Sequence, residues 1–217
     1  MFMSKTVTTW LSAGILLSLT PYAMADKSIT YQVEITNITQ DQVFSPPLLV
    51  LHSSRQQLFS PGQAASPGLA TLAETAGTDL LKEEITSLFS NAQVTTGTAP
   101  IPPGKTATYE LSGGNKLSRL SLASMLVNTN DAFVSLNAIS PQGSHVAIAY
   151  DAGSEANNEL CTHVPGPACP GSANLRATDA AEGFIHVHNG IHGQGDLNAA
   201  KYDWQNPVAL VNIRRIR

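Results

Sequence analysis

Short segments in which apolar and polar residues alternate run through most of this chain, and turn residues separate them. The first is residues 29–35, Ile-Thr-Tyr-Gln-Val-Glu-Ile, in which every second side chain is apolar. A period of two is typical of a strand with one buried face. Further strands are predicted at residues 46–52, 106–111, 117–127, 132–139, 146–150, 183–188 and 208–216. Short strands at this spacing predict an all-β fold, an antiparallel β-sandwich.

One segment, residues 68–91, has helical character instead. Its leucines and isoleucine recur at spacings of three and four, with Lys and Glu between them. This spacing is typical of a helix with one apolar face. Gly77 lies in the middle of the segment and is expected to divide it into two short helices. The segment is therefore predicted to be a short helical insertion packed on the sheet, not a separate domain.

The first 25 residues have the pattern of a secretory signal peptide. A basic start that includes Lys5 precedes an apolar stretch at residues 7–22, and Ala23-Met24-Ala25 forms a cleavage site. The apolar stretch is short for a membrane anchor, and no later segment is long and apolar enough to cross a bilayer. We therefore expect residues 1–25 to be removed and residues 26–217 to form one domain. The protein would be periplasmic or secreted, and not an integral membrane protein after cleavage.

The balance of charges argues against one class of partner. The chain has 12 Lys and Arg against 16 Asp and Glu, a formal net charge of −4. Proteins that bind nucleic acid need clustered basic residues to neutralise phosphates. A nucleic-acid partner is therefore not expected.

The two cysteines, Cys161 and Cys169, lie in a loop rich in Pro and Gly. Disulfides form in the oxidising compartments to which an exported protein is delivered. The pair is therefore predicted to form a local disulfide that staples one loop and contributes little to the overall topology. Metal ligation by the pair is not expected, because the chain has no two further sulfur ligands to complete such a site.

Three carboxylates occupy loop positions beside predicted strands and are candidate metal ligands. Asp131 follows Asn128-Thr129-Asn130, Asp151 ends an apolar strand, and Glu155 lies across a turn that contains Gly153. Calcium prefers six to eight oxygen ligands, which carboxylates, amides and main-chain carbonyls supply. Loops at one end of a sandwich can bring such residues together, and the two asparagines could add amide oxygens. The alternative is that all three acids are solvated turn residues, since Asp favours turns.

The same residues carry a resemblance to a known family. Ser124-Met125-Leu126-Val127 leading to Asp131, followed by Tyr150-Asp151-Ala152-Gly153-Ser154-Glu155, resembles the spondin N-terminal domain of F-spondin and mindin. Residues 44–47, 62–67 and 206–213 are similar to its bacterial single-domain branch. The resemblance implies a C2-like β-sandwich that binds calcium through Asp131, Asp151 and Glu155. Animal members commonly have Asp where this chain has Glu155. They act in adhesion, which implies a partner such as a surface or matrix protein or a polysaccharide, and no catalytic role.

A run of histidines supports a different hypothesis, a hydrolytic enzyme. His186 and His188 lie two residues apart in a predicted strand, and His192 follows the turn at Gly190. Alternate residues of a strand share a face, so the first two could chelate zinc or copper, with His192 as a third ligand. A metal with an open position could then assist hydrolysis. The alternative is that these side chains only hydrogen-bond to loop carbonyls or water.

Overall fold

The structure is a computed structural model and describes residues 28–217. The predicted signal peptide, residues 1–25, lies outside the described residues. Most elements are strands, and adjacent strands pair in antiparallel fashion. In chain order the elements are β1 (Ile29–Asn37), β2 (Leu48–His52), α1 (Pro67–Thr75), α2 (Asp79–Leu88), β3 (Gln93–Thr96), β4 (Thr106–Gly113), β5 (Arg119–Met125), β6 (Ala132–Ile139), β7 (Gly143–Asp151), β8 (His186–Val187), α3 (Ala199–Tyr202) and β9 (Ala209–Arg215). The prediction of an antiparallel all-β fold with a short helical insertion is confirmed.

The strands form two layers that share β7. The strand order is β3-β2-β5-β6-β7-β9-β1-β4, and β8 adds to β7 beside this path. Residues 143–147 of β7 pair with β9, whereas residues 148–151 pair with β6. The strands β3 and β4, at the two ends of the path, approach each other, so that the sheet is nearly closed. Because β7 pairs with strands of both layers, hydrogen bonds hold it along its whole length.

The main core fills the space between the two layers, and a second core lies under the helices. Leu49 and Leu51 of β2 face the main core, whereas Leu48 and Val50 face the helices. All five residues of β2 are therefore buried, because both faces of this strand are covered. Such a strand is a nearly continuous apolar run and not an alternation. The predicted strand at residues 46–52 has this composition.

The helical insertion divides as the sequence predicted. The helix α1 ends before Gly77 and α2 begins after it. The side chain of Ser66 caps α1 by accepting a hydrogen bond from the amide of Leu69 at 3.2 Å. Glu84 of α2 accepts hydrogen bonds from Ser66 Oγ at 2.6 Å and from the amide of Gly68 at 2.7 Å. The cap of one helix is therefore tied to the other, and the two pack on the sheet as a unit.

A long connection between β7 and β8 covers one edge of the sandwich. The predicted disulfide between Cys161 and Cys169 is present in this connection, and Cys169 is buried. The predicted strand at residues 183–188 is shorter than expected, because only His186 and Val187 pair with β7. The short helix α3 was not predicted. None of the described helices, of which α2 has 10 residues, has the length and apolar character of a membrane span.

Candidate metal centre

Asp131 and Asp151 lie side by side at one edge of the sheet, namely the edge formed by strand ends where β6 begins and β7 ends. Asp131 immediately precedes β6, and Asp151 is the last residue of β7. The two strands are antiparallel, and Ala132 is paired with Asp151 in their register. The amide of Ala152 donates to the carbonyl of Asp131 at 3.1 Å, which extends this pairing by one step. The prediction that both acids lie at strand ends on a common edge is therefore confirmed.

The Asp-Ala-Gly motif makes a tight turn that only glycine can complete. Gly153 has a φ of 66°, and its amide donates to Asp151 Oδ1 at 2.6 Å. A Cβ atom on Gly153 would lie 2.3 Å from the carbonyl oxygen of Phe184. Any other residue would combine an unfavourable φ with a clash against main-chain atoms. The turn directs the chain back toward Asp131.

The carboxylate of Asp131 is fully buried and has one oxygen without a partner. Oδ2 accepts hydrogen bonds from the amide of Ser154 at 2.7 Å, from Ser154 Oγ at 3.1 Å and from the amide of Glu155 at 2.9 Å. Oδ1 has no hydrogen-bond partner among the described residues. Burial and the nearby negative charge of Asp151 raise the pKa of Asp131 to about 8, although these three hydrogen bonds oppose the shift. A buried oxygen without a partner is costly unless something binds it.

Asp151 is equally buried, but both of its oxygens have partners. Oδ1 accepts from Gly153, and Oδ2 accepts from Asn157 Nδ2 at 2.5 Å. Burial raises the pKa of Asp151, against the opposing effects of these hydrogen bonds and of the nearby His186. Two neighbouring carboxylates in a buried site cannot both ionise without a compensating cation. The pair is therefore suited to hold either a proton or a metal ion.

Glu155, the third predicted ligand, contacts Asp131 through its main chain. Its carboxylate is buried and accepts from the amide of Ala177 at 3.2 Å, with Arg176 Nε at 3.9 Å. Arg176 also contacts Glu74 of α1 at 2.5 Å. Burial and the negative charge of Glu74 raise the pKa of Glu155 to about 7, although Ala177, Arg176 and Asn130 oppose the shift. In this arrangement the carboxylate helps to tie the loop after β7 to the helical insertion.

The side-chain oxygens of Asn128 and Asn130 accept hydrogen bonds from the connection between β7 and β8. Asn128 Oδ1 accepts from the amide of Ala168 at 3.0 Å. Asn130 Oδ1 accepts from the amide of Glu159 at 3.3 Å. The oxygens that the sequence offered as additional calcium ligands therefore hold the disulfide-stapled loop in place.

The three histidines border one cavity, as their spacing suggested. The cavity has a volume of about 310 Å³, and it is lined by His186, His188, His192 and by Asn157, Glu159, Glu182, Asn189, Gly190 and Gln194. The buried ring of His188 lies 4.9 Å from the ring of Trp204. Burial, and then the proximity of the other two histidines, lowers the pKa of His188 to about 3. His188 is therefore neutral at physiological pH.

Hydrogen bonds fix the tautomer of His188. The amide of Gly190 donates to its Nδ1 at 2.9 Å, so Nδ1 is an acceptor and the proton lies on Nε2. Nε2 then donates to Asn157 Oδ1 at 2.9 Å. Both ring nitrogens are thus occupied, and His188 orients Asn157 in this arrangement.

His186 meets two carboxylates at the mouth of this cavity. Among residues 28–217, the one group of three or more His, Cys, Asp or Glu whose ligand atoms all lie within 4.8 Å of one another is Asp151, Glu182 and His186. The predicted set of Asp131, Asp151 and Glu155 is not such a group. Glu182 was not predicted from the sequence. Four extended residues would separate it from His186 by about 13 Å, and the turn at Gly183, with a φ of 79°, brings them together.

The residues present fit a cation at this edge in two respects. Asp131 Oδ1 is a buried acceptor without a partner in the described part of the chain, and it adjoins a second buried carboxylate. The donor set is mainly oxygen, which suits a hard cation such as calcium, and His186 adds one nitrogen on the outer side of Asp151.

Comparison of the chain with models of protein families gives no match. A search of curated proteins returns no protein with significant similarity. The resemblance to the spondin N-terminal domain therefore stays a prediction from the sequence.

Proposed function

We propose that this protein is an exported, calcium-binding module of the spondin type, which binds a surface protein or a polysaccharide and has no catalytic role. The observation that carries the proposal is the buried oxygen Oδ1 of Asp131, which has no partner within the described residues and lies beside Asp151. A divalent cation there would neutralise both acids and give this oxygen a partner. Without it, one of the two must carry a proton at neutral pH.

The surroundings of the two acids support calcium in particular. Calcium takes its ligands from carboxylates, amides, main-chain carbonyls and water in flexible geometry. Asp131 and Asp151 contribute carboxylates, and the turn at residues 152–155 lies directly against Asp131. Glu155 would add its carboxylate only after exchanging its contacts with Ala177 and Arg176 for the ion. Asp131 and Asp151 are therefore the principal ligands in the proposal.

The proposed binding role follows from the position of the site. The loops around Asp131 and Asp151 lie at one edge of the sandwich, where a bound ion would order them. Loops that a rigid scaffold presents are common binding surfaces in β-sandwich proteins. An ion-ordered edge of this kind suits recognition of an extended partner outside the cell.

The decisive experiment is a melting curve of the purified protein in calcium, in magnesium and in chelator. A ligand that binds only the folded state at 100 times its Kd stabilises that state by about 2.7 kcal/mol. For a domain of this size this raises Tm by about 5–10 °C. Magnesium, which demands a smaller octahedral site, is expected to give a smaller shift. Identical melting in calcium and in chelator would overturn the proposal.

The second candidate function is a hydrolytic enzyme that uses zinc or copper held by His186, His188 and His192. It is favoured by one observation, which is that all three side chains line a common cavity. His188 would first have to release Gly190 or Asn157, because both of its ring nitrogens are engaged.

Elemental analysis and one double variant separate the two functions. Stoichiometric zinc or copper that disappears in His186→Ala/His188→Ala, together with hydrolysis of ester or phosphoester substrates that disappears with it, would favour the enzyme. A calcium-dependent Tm shift that survives in this variant, without hydrolysis by the unaltered protein, would favour the binding module.

A further inference from the structure

We propose that the protein holds a zinc ion at a site formed by Asp151, Glu182 and His186, beside the proposed calcium site. Zinc accepts ligands of this type, namely imidazole nitrogen and carboxylate oxygen, and often binds three protein side chains together with water. The ligand atoms of these residues already lie within 4.8 Å of one another. Around a tetrahedral zinc they would be about 3.3–3.5 Å apart, so a shift of roughly 1 Å would close the site.

His186 presents the correct nitrogen for this role. Its Nδ1 lies 3.3 Å from the carbonyl oxygen of Phe184, and a carbonyl can only accept, so Nδ1 carries the proton. The lone pair of the neutral ring is then on Nε2, which lies 3.9 Å from Asp151 Oδ2. Histidine ligands of metals usually donate their second nitrogen to a carbonyl or carboxylate in this way, which fixes the tautomer and the orientation of the ring.

A second set of hydrogen bonds orients the two carboxylates. Asn157 Nδ2 donates to Asp151 Oδ2 at 2.5 Å and lies 3.4 Å from Glu182 Oε1. His188 holds the other end of this amide through Asn157 Oδ1 at 2.9 Å. One buried histidine therefore sets the position of Asn157, which in turn joins the oxygens of two proposed ligands. The two histidines of the run His-Val-His therefore have different roles, with His186 as ligand and His188 as its indirect support.

The exposure of two of the three side chains leaves them space to move closer to the third. Asp151 is fully buried, whereas Glu182 is exposed and the side chain of His186 is 27% accessible. The two outer ligands can therefore adjust toward the fixed one. The adjoining cavity of about 310 Å³ gives a metal ion access from solvent and leaves room for water as a fourth ligand.

The zinc site shares Asp151 with the proposed calcium site but can be tested separately from it. Calcium is expected on the inner side of Asp151, toward Asp131, and it does not favour a nitrogen ligand. Zinc is expected on the outer side, where Oδ2 of Asp151 faces His186 and His188 at 3.9 and 3.8 Å. Variants of Glu182 and His186 therefore test the second site while Asp131 and Asp151 stay unchanged.

The test is a calorimetric titration of the purified, chelator-treated protein with zinc alone, followed by elemental analysis after dialysis. We expect one zinc per chain. Loss of a residue that only hydrogen-bonds to a metal ligand commonly costs 10–100-fold in affinity. Loss of a ligand itself should cost at least as much, so His186→Ala and Glu182→Gln should each weaken zinc binding by at least about tenfold. Matched controls are His145→Ala and Glu110→Gln, which change the same residue types on strands β7 and β4 away from the cavity.

The outcomes are separable from those of the calcium experiment. Zinc affinity in His186→Ala equal to that of His145→Ala, or no zinc bound by the unaltered protein, would overturn the inference. Zinc binding that depends on His192 but not on Glu182 would also overturn it, since a different ligand set would then be in use. A calcium-dependent Tm shift that persists in His186→Ala, beside a loss of zinc binding, would support both sites. If zinc binds as described and calcium has no effect, only the proposed function fails.

Discussion

The amide of Glu155 donates a hydrogen bond of 2.9 Å to Oδ2 of Asp131, 24 positions earlier in the chain. Through this bond and the two from Ser154, the loop after β7 is held against the first residue before β6. Main-chain donors favour the ionised carboxylate, whereas its burial and the adjoining Asp151 favour the protonated one. The charge of Asp131 and the conformation of the loop are therefore linked.

Replacing Asp151 by Asn should abolish stabilisation by calcium. The substitution keeps the size of the side chain but removes the negative charge of a principal ligand. At a calcium concentration 100 times the Kd of the unaltered protein, we expect a Tm rise of about 5–10 °C for that protein and less than about 1 °C for the variant. The measurement is a pair of melting curves, in calcium and in chelator.

The control for this substitution is Asp179→Asn, which makes the same chemical change at an exposed position in the connection between β7 and β8. It should retain the full calcium response. If Asp151→Asn responds to calcium as strongly as Asp179→Asn, Asp151 is not a ligand.

The stability of the metal-free protein should fall as the pH rises. Asp131 has an ordinary pKa of 3.8, which the fold raises to about 8. Between these values the folded state retains a proton that the unfolded state has released, so the contribution of Asp131 is complete below about pH 4 and is lost as pH approaches 8. Glu155, with a pKa raised to about 7, acts in the same direction.

The measurement is the free energy of unfolding in chelator between pH 5 and about 8, for the unaltered protein and for Asp131→Asn. His188 titrates in the opposite sense, because burial lowers its pKa, but it does so equally in both proteins. Asp151 and Arg176 are the charged groups that act on Asp131. The decline with pH should be shallower in Asp131→Asn, and equal slopes would show that Asp131 is ionised throughout this range.

Replacing Gly153 by Ala should be strongly destabilising. A left-handed conformation costs a residue with a side chain about 1–2 kcal/mol, and the clash of its Cβ with Phe184 should add about 1–3 kcal/mol. Gly171→Ala is the matched control, because Gly171 has a φ of 80° but open space around it. Denaturant unfolding should show a larger loss at position 153 than at 171. Equal losses would mean that the close approach to Phe184 is not constraining.

Removing the disulfide should lower the free energy of unfolding but leave the all-β fold unchanged. In the chain-entropy model a loop of this length gains about 2–3 kcal/mol from closure. We expect Cys161→Ser/Cys169→Ser to lose about this much free energy of unfolding, and the unaltered protein in reductant to lose a similar amount. Far-ultraviolet circular dichroism should be unchanged, because both cysteines lie in the connection between β7 and β8 and neither is part of a strand. A loss of the β-sheet spectrum would assign the disulfide a larger role.

Most of the sheet could be predicted from the sequence because its strands are either alternating, with one covered face, or continuously apolar, with both faces covered. The alternation at residues 29–35 marks β1, where Tyr31, Val33 and Ile35 are buried and the intervening residues are not. The division of the helices at Gly77 was also predictable, since glycine disfavours helix interiors. The strand predicted at residues 183–188 was too long, because Gly183 and Ile185 hydrogen-bond to loops instead of to β7.

Of the candidate site, only the residues at strand ends could be predicted from the sequence. Asp131 directly precedes one apolar segment and Asp151 ends another, so their positions at strand ends follow from the pattern. Glu182 and Asn157 lie in the connection between β7 and β8, where turns at residues such as Gly183 decide which side chains meet. No period in the sequence encodes such turns, and the partner of a loop residue can be far away along the chain. The same reason explains why the direction of the Glu155 side chain was not foreseen.

The division of β7 between the two layers bears on how this protein would withstand tension. Asp151 terminates a strand that is hydrogen-bonded to β6 over one half and to β9 over the other. A force applied to Asp151 would therefore be transmitted along β7 to strands of both layers.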